Sequence, residues 1–135
     1  MYDWNEYLEI SKEFYSNRNY TPSNPLREQT MLRNAISRAY YAAFHKSLSY
    51  LETHGWNPPR ERDKGIHRSV INNVDNYKEA NETAISTELD RAFTSRKRAD
   101  YDNIFSVNIE KEAEATIRRV SKIVEEIGKR RRGPY

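Results

Sequence analysis

The chain has 135 residues, 36% hydrophobic and 32% charged, with four glycines, five prolines and no cysteine. That is the length of one domain, too poor in turn formers for a sheet-rich fold and without disulfides, thiolate metal sites or the ~20-residue apolar run that spans a bilayer. The net charge is +3, but Lys129 to Arg132 alone supply +4 and leave the body at −1, so nucleic-acid binding has to rest on where particular arginines point.

Taken in chain order, Asp3 can cap a first helix running to about Tyr15, with Trp4, Tyr7, Leu8, Ser11 and Phe14 on its buried side. Asp3, Glu6 and Glu9 make the start acidic, unlike a secretion signal, and with the missing cysteines this gives a cytoplasmic expectation. Asn17 to Ser23 reads as a loop. Asn24 and Pro25 then open a long helix to about Thr53, closed by His54 and Gly55. Leu32, Ile36, Ala39, Ala43, Tyr50 and Leu51 form its buried stripe, and alanines at 35, 39, 42 and 43 let neighbouring helices approach closely.

Beside that stripe runs a polar line of Asn34, Arg38, Tyr41 and His45. Arg38 and His45 are seven apart, within roughly 20° on a helix and about 10 Å apart along its axis. A long arginine side chain can close much of that gap toward a shared ligand. The same pair also fits a polar border to the core.

Trp56 to Lys64 reads as a solvated loop broken by Pro58 and Pro59. A shorter helix follows from Gly65 to Tyr77, with Ile66, Val70, Ile71, Val74 and Tyr77 inward and His67 beside them. In the next helix Ile85, Leu89, Ala92 and Phe93 define an inner face whose continuation is Arg96. A cation there needs a partner or a task. Asp100, four residues on, can be that partner, and such a pair also serves simply to lock the helix end. Tyr101 lies about 140° round from Arg96 and converges with it only where the helix ends.

Asn108 can cap a last helix with a seam of Ile109, Ala113, Thr116, Val120, Ile123 and Ile127, stopped by Gly128. Residues 1–128 therefore read as an antiparallel up-and-down four-helix bundle with one additional short helix. Residues 129–135 read as a basic flexible tail, either an arm for RNA or a solubilising end.

Two segments carry a resemblance. Ser37-Arg38-Ala39-Tyr40-Tyr41-Ala42-Ala43-Phe44-His45 and Arg96-Lys97-Arg98-Ala99-Asp100-Tyr101 resemble the early and late motifs of the HEPN domain family, in order and separation, over roughly residues 5 to 127. The resemblance implies a helical bundle acting as a homodimer. It also implies a metal-independent ribonuclease that needs no cofactor, RNA as partner, and a role as a toxin with a nucleotidyltransferase-like antitoxin or in phage defence. Site residues implied are Arg38, His45, Arg96, Asp100 and Tyr101 for chemistry, with Asn34, Tyr41, His67 and Arg98 for binding.

The chain departs from the catalytic pattern in two respects, one of them that Arg38, six residues, then His45 fits the spacing but lies on a different helix from the usual site. Catalytic members carry the arginine–spacer–histidine element on the late helix, where this chain has Arg96, four residues, then Tyr101. Tyrosine, with a pKa near 10, is a weak base at neutral pH. Either the site is rebuilt from both helices, or the domain binds RNA, nucleotide or a protein partner without cleaving.

Overall fold

The computed structural model describes residues 2–19, 24–59, 65–105 and 108–130. The charged loop from residue 60 to 64 and the tail beyond Arg130 lie outside them. The helices are α1 (Asn5–Ser16), α2 (Pro25–Thr53), α3 (Ile66–Asn73), α4 (Ser86–Tyr101) and α5 (Ile109–Lys129).

Local chemistry accounts for most helix ends. The Asp3 carboxylate accepts from Asn5 N–H at 3.0 Å, which holds it below the usual carboxylate range. Asn24 and Asn108 cap α2 and α5, each side chain accepting a backbone N–H three residues on at 3.1 Å. The α2 C-terminus closes with Gly55 at φ 82°, Gly55 N–H on Glu52 O and Trp56 N–H on Leu51 O. Those are the two paired bonds of a left-handed glycine stop.

Side-chain register fixes the topology. Trp4 stacks on His45 while Ser11 Oγ donates to Ala35 O at 2.6 Å, so α1 runs antiparallel to α2. Tyr41 meets Arg96 while Arg33 reaches Ala99 O at 2.8 Å, so α4 is also antiparallel to α2. Arg119 pairs with Glu88, and Ser95 donates to Glu112, which sets α5 against α4. Arg18 pairs with Glu110 at 2.9 Å and Tyr15 bonds Glu114, closing α5 onto α1. The result is an up-and-down bundle of α1, α2, α4 and α5, with α3 packed against α2 and α4. Helix α2 touches each of the other four helices. Ala35, Ala39, Ala42 and Ala43 are fully enclosed, as close packing round a central helix requires.

Three ends differ from the sequence reading. Helix α3 stops at Asn73, not Tyr77, because the Asp75 carboxylate leaves the helical path to accept from Ile85 N–H and Ser86 N–H at 2.9–3.1 Å. It thus places an anion at the N-terminus of α4, where the helix dipole favours it. Gly128 does not stop α5, which continues to Lys129. Arg130, read as the second residue of a flexible tail, is a buried part of the domain. Its guanidinium donates to Val74 O at 2.9 Å, Asp75 Oδ1 at 2.5 Å and Thr83 O at 2.7 Å. It also lies 5.3 Å from the centre of the Tyr50 ring.

Candidate functional site

The polar centre lies where α2, α3 and α4 meet near the N-terminus of α1. Arg96, 9% exposed, continues the apolar face of α4 and turns toward α2. Its Nη2 donates to Tyr41 Oη at 2.5 Å, and the guanidinium carbon sits 5.0 Å from the Tyr41 ring centre. Its Nε is 2.8 Å from Asp100 Oδ2, yet the N–H points off that line, so charge rather than a hydrogen bond holds the pair. Asp100 also accepts from Ser37 Oγ at 3.4 Å.

Tyr101 converges with this group because α4 ends on it and Asp102 turns extended. Its ring centre is 5.6 Å from the Arg96 guanidinium, and the side chain is 70% exposed. It forms an open wall to the site.

Two imidazoles complete the cluster. His67, from the first turn of α3, stacks on Phe93 (5.3 Å, 12°) and packs on Phe44 (4.4 Å). Its Nδ1 is 2.7 Å from Tyr40 Oη. Burial first, then Arg96 and His45 nearby, pull its pKa down from 6.5 to about 4, so it is neutral at pH 7. His45 stacks on Trp4 at 3.6 Å and lies 6.2 Å from the Tyr41 ring. Burial lowers its pKa as well. Among the described residues no hydrogen bond engages the His45 ring nitrogens.

Tyr41, His45, His67, Arg96, Asp100 and Tyr101 thus share one site, drawn from three helices. The other candidates stand apart. Arg38 is exposed, with its guanidinium 5.3 Å from the Tyr7 ring centre, on the α1 side of the rim. Asn34 lines an open groove of about 590 Å³ with Phe14, Leu26, Arg27 and Met31. It is eleven residues from His45, roughly 16 Å along the helix. Arg98 lines a separate polar groove between α4 and α5 with Arg91, Glu112 and Arg119. Two residues after Arg96 means about 200° round the helix, so the two arginines cannot share a face.

Sequence reasoning gave Tyr40 and Trp4 no part in the site. Tyr40 carried a usable signal: a tyrosine on a fully buried face needs a partner for its hydroxyl. The Trp4 stack has no local signature, because it depends on how α1 docks. Among the described residues no three His, Asp or Glu side chains come together in a set able to hold a metal ion.

The unfolded chain binds the His67 proton near pH 6.5, the folded chain only near 4, so between those values the unfolded state holds more protons. Stability therefore falls as pH drops from 6.5 to 4. Allowing for its solvent contact, His67 contributes about 1–2 kcal/mol of that loss. Arg96, His45, Tyr40 and Tyr41 are the titratable groups around it, with the exposed Arg68–Asp90 pair beyond. Urea denaturation of wild type and His67→Gln across this range is expected to show a shallower slope in the variant.

A nearly buried arginine thus sits between two tyrosines and close to a neutral imidazole on an all-helical scaffold. The sequence profile of the HEPN domain matches residues 5–131, and the chain belongs to the HEPN domain family. Membership places it among nuclease or RNA-related modules. No curated protein matches the chain. Among the described residues no helix is long and apolar enough to cross a membrane.

Proposed function

We propose that this HEPN domain is a metal-independent ribonuclease that cleaves by attack of a 2′-hydroxyl on the adjacent phosphodiester. The observation that carries this reading is Arg96, nearly buried, bonded to Tyr41 and close enough to His67 to lower its pKa, with His45 beyond the Tyr41 ring. The guanidinium fork holds the phosphate and offsets charge growing on its oxygens. His45, neutral at pH 7, is in the form that accepts the 2′-hydroxyl proton. The new O2′–P bond forms as the P–O5′ bond breaks. The leaving 5′-oxygen takes a proton from water or from a second copy of the site, and a 2′,3′-cyclic phosphate remains. Function as a homodimer would bring two such sets of groups to one phosphodiester. A toxin role opposed by a nucleotidyltransferase-like antitoxin, or a role in phage defence, in the cytoplasm, fits the family resemblance.

One observation favours a second reading, binding of RNA, nucleotide or a protein partner without cleavage. Arg96 already has Asp100 and Tyr41 as partners, and both imidazoles are held neutral, so a single copy offers no strong proton donor.

Incubating the purified protein with single-stranded RNA in EDTA decides between them. The expected result is cleavage leaving 2′,3′-cyclic ends, reduced about 100-fold or more in His45→Ala, the scale of a lost general base. RNA binding with no turnover by wild type selects the second reading.

A further inference from the structure

We infer that Tyr40 locks His67 in its neutral Nε2–H form, making His67 a hydrogen-bond donor to the site's ligand and Tyr40 the positioning residue behind it. Tyr40 is fully enclosed, 0% exposed, and its hydroxyl has one partner among the described residues, His67 Nδ1 at 2.7 Å. Burial pushes the pKa of the phenol well above its ordinary value, so the hydroxyl keeps its proton. That proton needs an acceptor. If Nδ1 carried a hydrogen, two donors would face each other in the core, and the phenol hydrogen would be buried unpaired at a cost of about 1–3 kcal/mol. Nδ1 is therefore the acceptor, and the ring proton sits on Nε2.

The surroundings hold the ring in that role. Phe93 and Phe44 flank it, Tyr41 meets it edge-on at 6.0 Å, and the Arg96 charge opposes a second proton. Among the described residues the Nε2 atom has no hydrogen-bond partner. It is a fixed, uncharged N–H donor on the site side of a caged ring. With Arg96 and Tyr41 it completes a set suited to the non-bridging oxygens of a phosphodiester. It leaves the general-base role to His45. The donor role rests on the proposed function; the tautomer does not.

The test uses 15N-histidine-labelled full-length protein and long-range 1H–15N correlation spectra. Wild type is expected to show His67 as a single neutral Nε2–H tautomer from pH 5 to 8. Tyr40→Phe is expected to give mixed tautomers at His67 and about fivefold weaker binding of a 2′-O-methylated dinucleotide, the size of one mis-set hydrogen bond. In wild type that dinucleotide should shift Nε2 of His67. An Nδ1–H or doubly protonated ring at pH 7, or an unchanged tautomer in Tyr40→Phe, overturns the lock. A dinucleotide that binds without moving the His67 signals overturns the donor role. A dinucleotide that does not bind at all overturns the ribonuclease reading and the donor role with it, while the tautomer spectrum decides the lock alone.

Discussion

Arg96→Ala is expected to lower affinity for a single-stranded RNA phosphodiester by about 100-fold, the range for removing one charge-assisted, desolvated donor group. Among the described residues no other guanidinium is placed to replace it: Arg38 is over Tyr7, and Arg98 faces the α4–α5 groove. Arg96→Lys should recover little, because a single ammonium cannot engage Tyr41, Asp100 and a phosphate from one planar fork. Stability supplies the control. Losing Arg96 leaves Asp100 beside Ser37 without its cation, but Asp100 keeps access to water, so the loss should be about 1–2 kcal/mol. Asp100→Asn should weaken RNA binding less than Arg96→Ala, since it frees the fork without removing it. Fluorescence anisotropy with a labelled oligonucleotide, read beside thermal melts, separates the two effects. If Arg96→Ala costs stability alone, the pair is a helix lock and the site reading fails.

Arg130→Ala is expected to be the most destabilising substitution outside the apolar core, at about 3–5 kcal/mol, or a fall in Tm of about 10 °C or more. The side chain is completely enclosed and ties three elements together. It bonds the end of α3 through Val74 O, the loop before α4 through Thr83 O, and the Asp75 carboxylate that caps α4. Ser86 Oγ on Ile71 O and Thr83 N–H on Glu126 strengthen the same joint. Removing the guanidinium leaves two carbonyls and part of a carboxylate facing a void. Lys129→Ala, one residue earlier, should cost less than 0.5 kcal/mol, because its pair with Glu125 is fully on the surface. Differential scanning calorimetry of the two variants makes the comparison directly.

The contrast between Lys129 and Arg130 shows why some of this structure was legible in the sequence and some was not. Helix α2 was legible from Asn24 to Gly55, because its cap, proline start and glycine stop are chemistry within a few residues. The seam of α5 was legible because its period is local too. A run of four basic residues carries no local mark that one of them is a core residue. Arg130 is buried because Asp75 and two carbonyls arrive from 47 to 56 residues away. The early end of α3 has the same cause, since Asp75 is recruited by α4.

The candidate site divides in the same way. Arg96 announced itself as a cation on an apolar stripe, and Asp100 as its neighbour one turn on. Tyr101 depended on where α4 ends, and it ends where that convergence requires. Arg38 shares a helical face with His45, but spacing cannot tell that α1 places Tyr7 beneath it. Spacing alone makes His67 a helix-border histidine, and only the family resemblance marks it as a binding candidate. Its place at the centre comes from the docking of α3 against Tyr40 and Phe93, which no local pattern records.

The central claim is that groups from α2, α3 and α4 act together on one phosphodiester. Titrating the 2′-O-methylated dinucleotide into protein labelled at its histidine and arginine side chains tests it most directly. The expected result is saturable shifts at His45, His67 and the Nε of Arg96 with a common midpoint, while His54 and Arg98 stay still. Shifts centred on Arg98 or on the groove beside Asn34, with the three site signals unmoved, would contradict it.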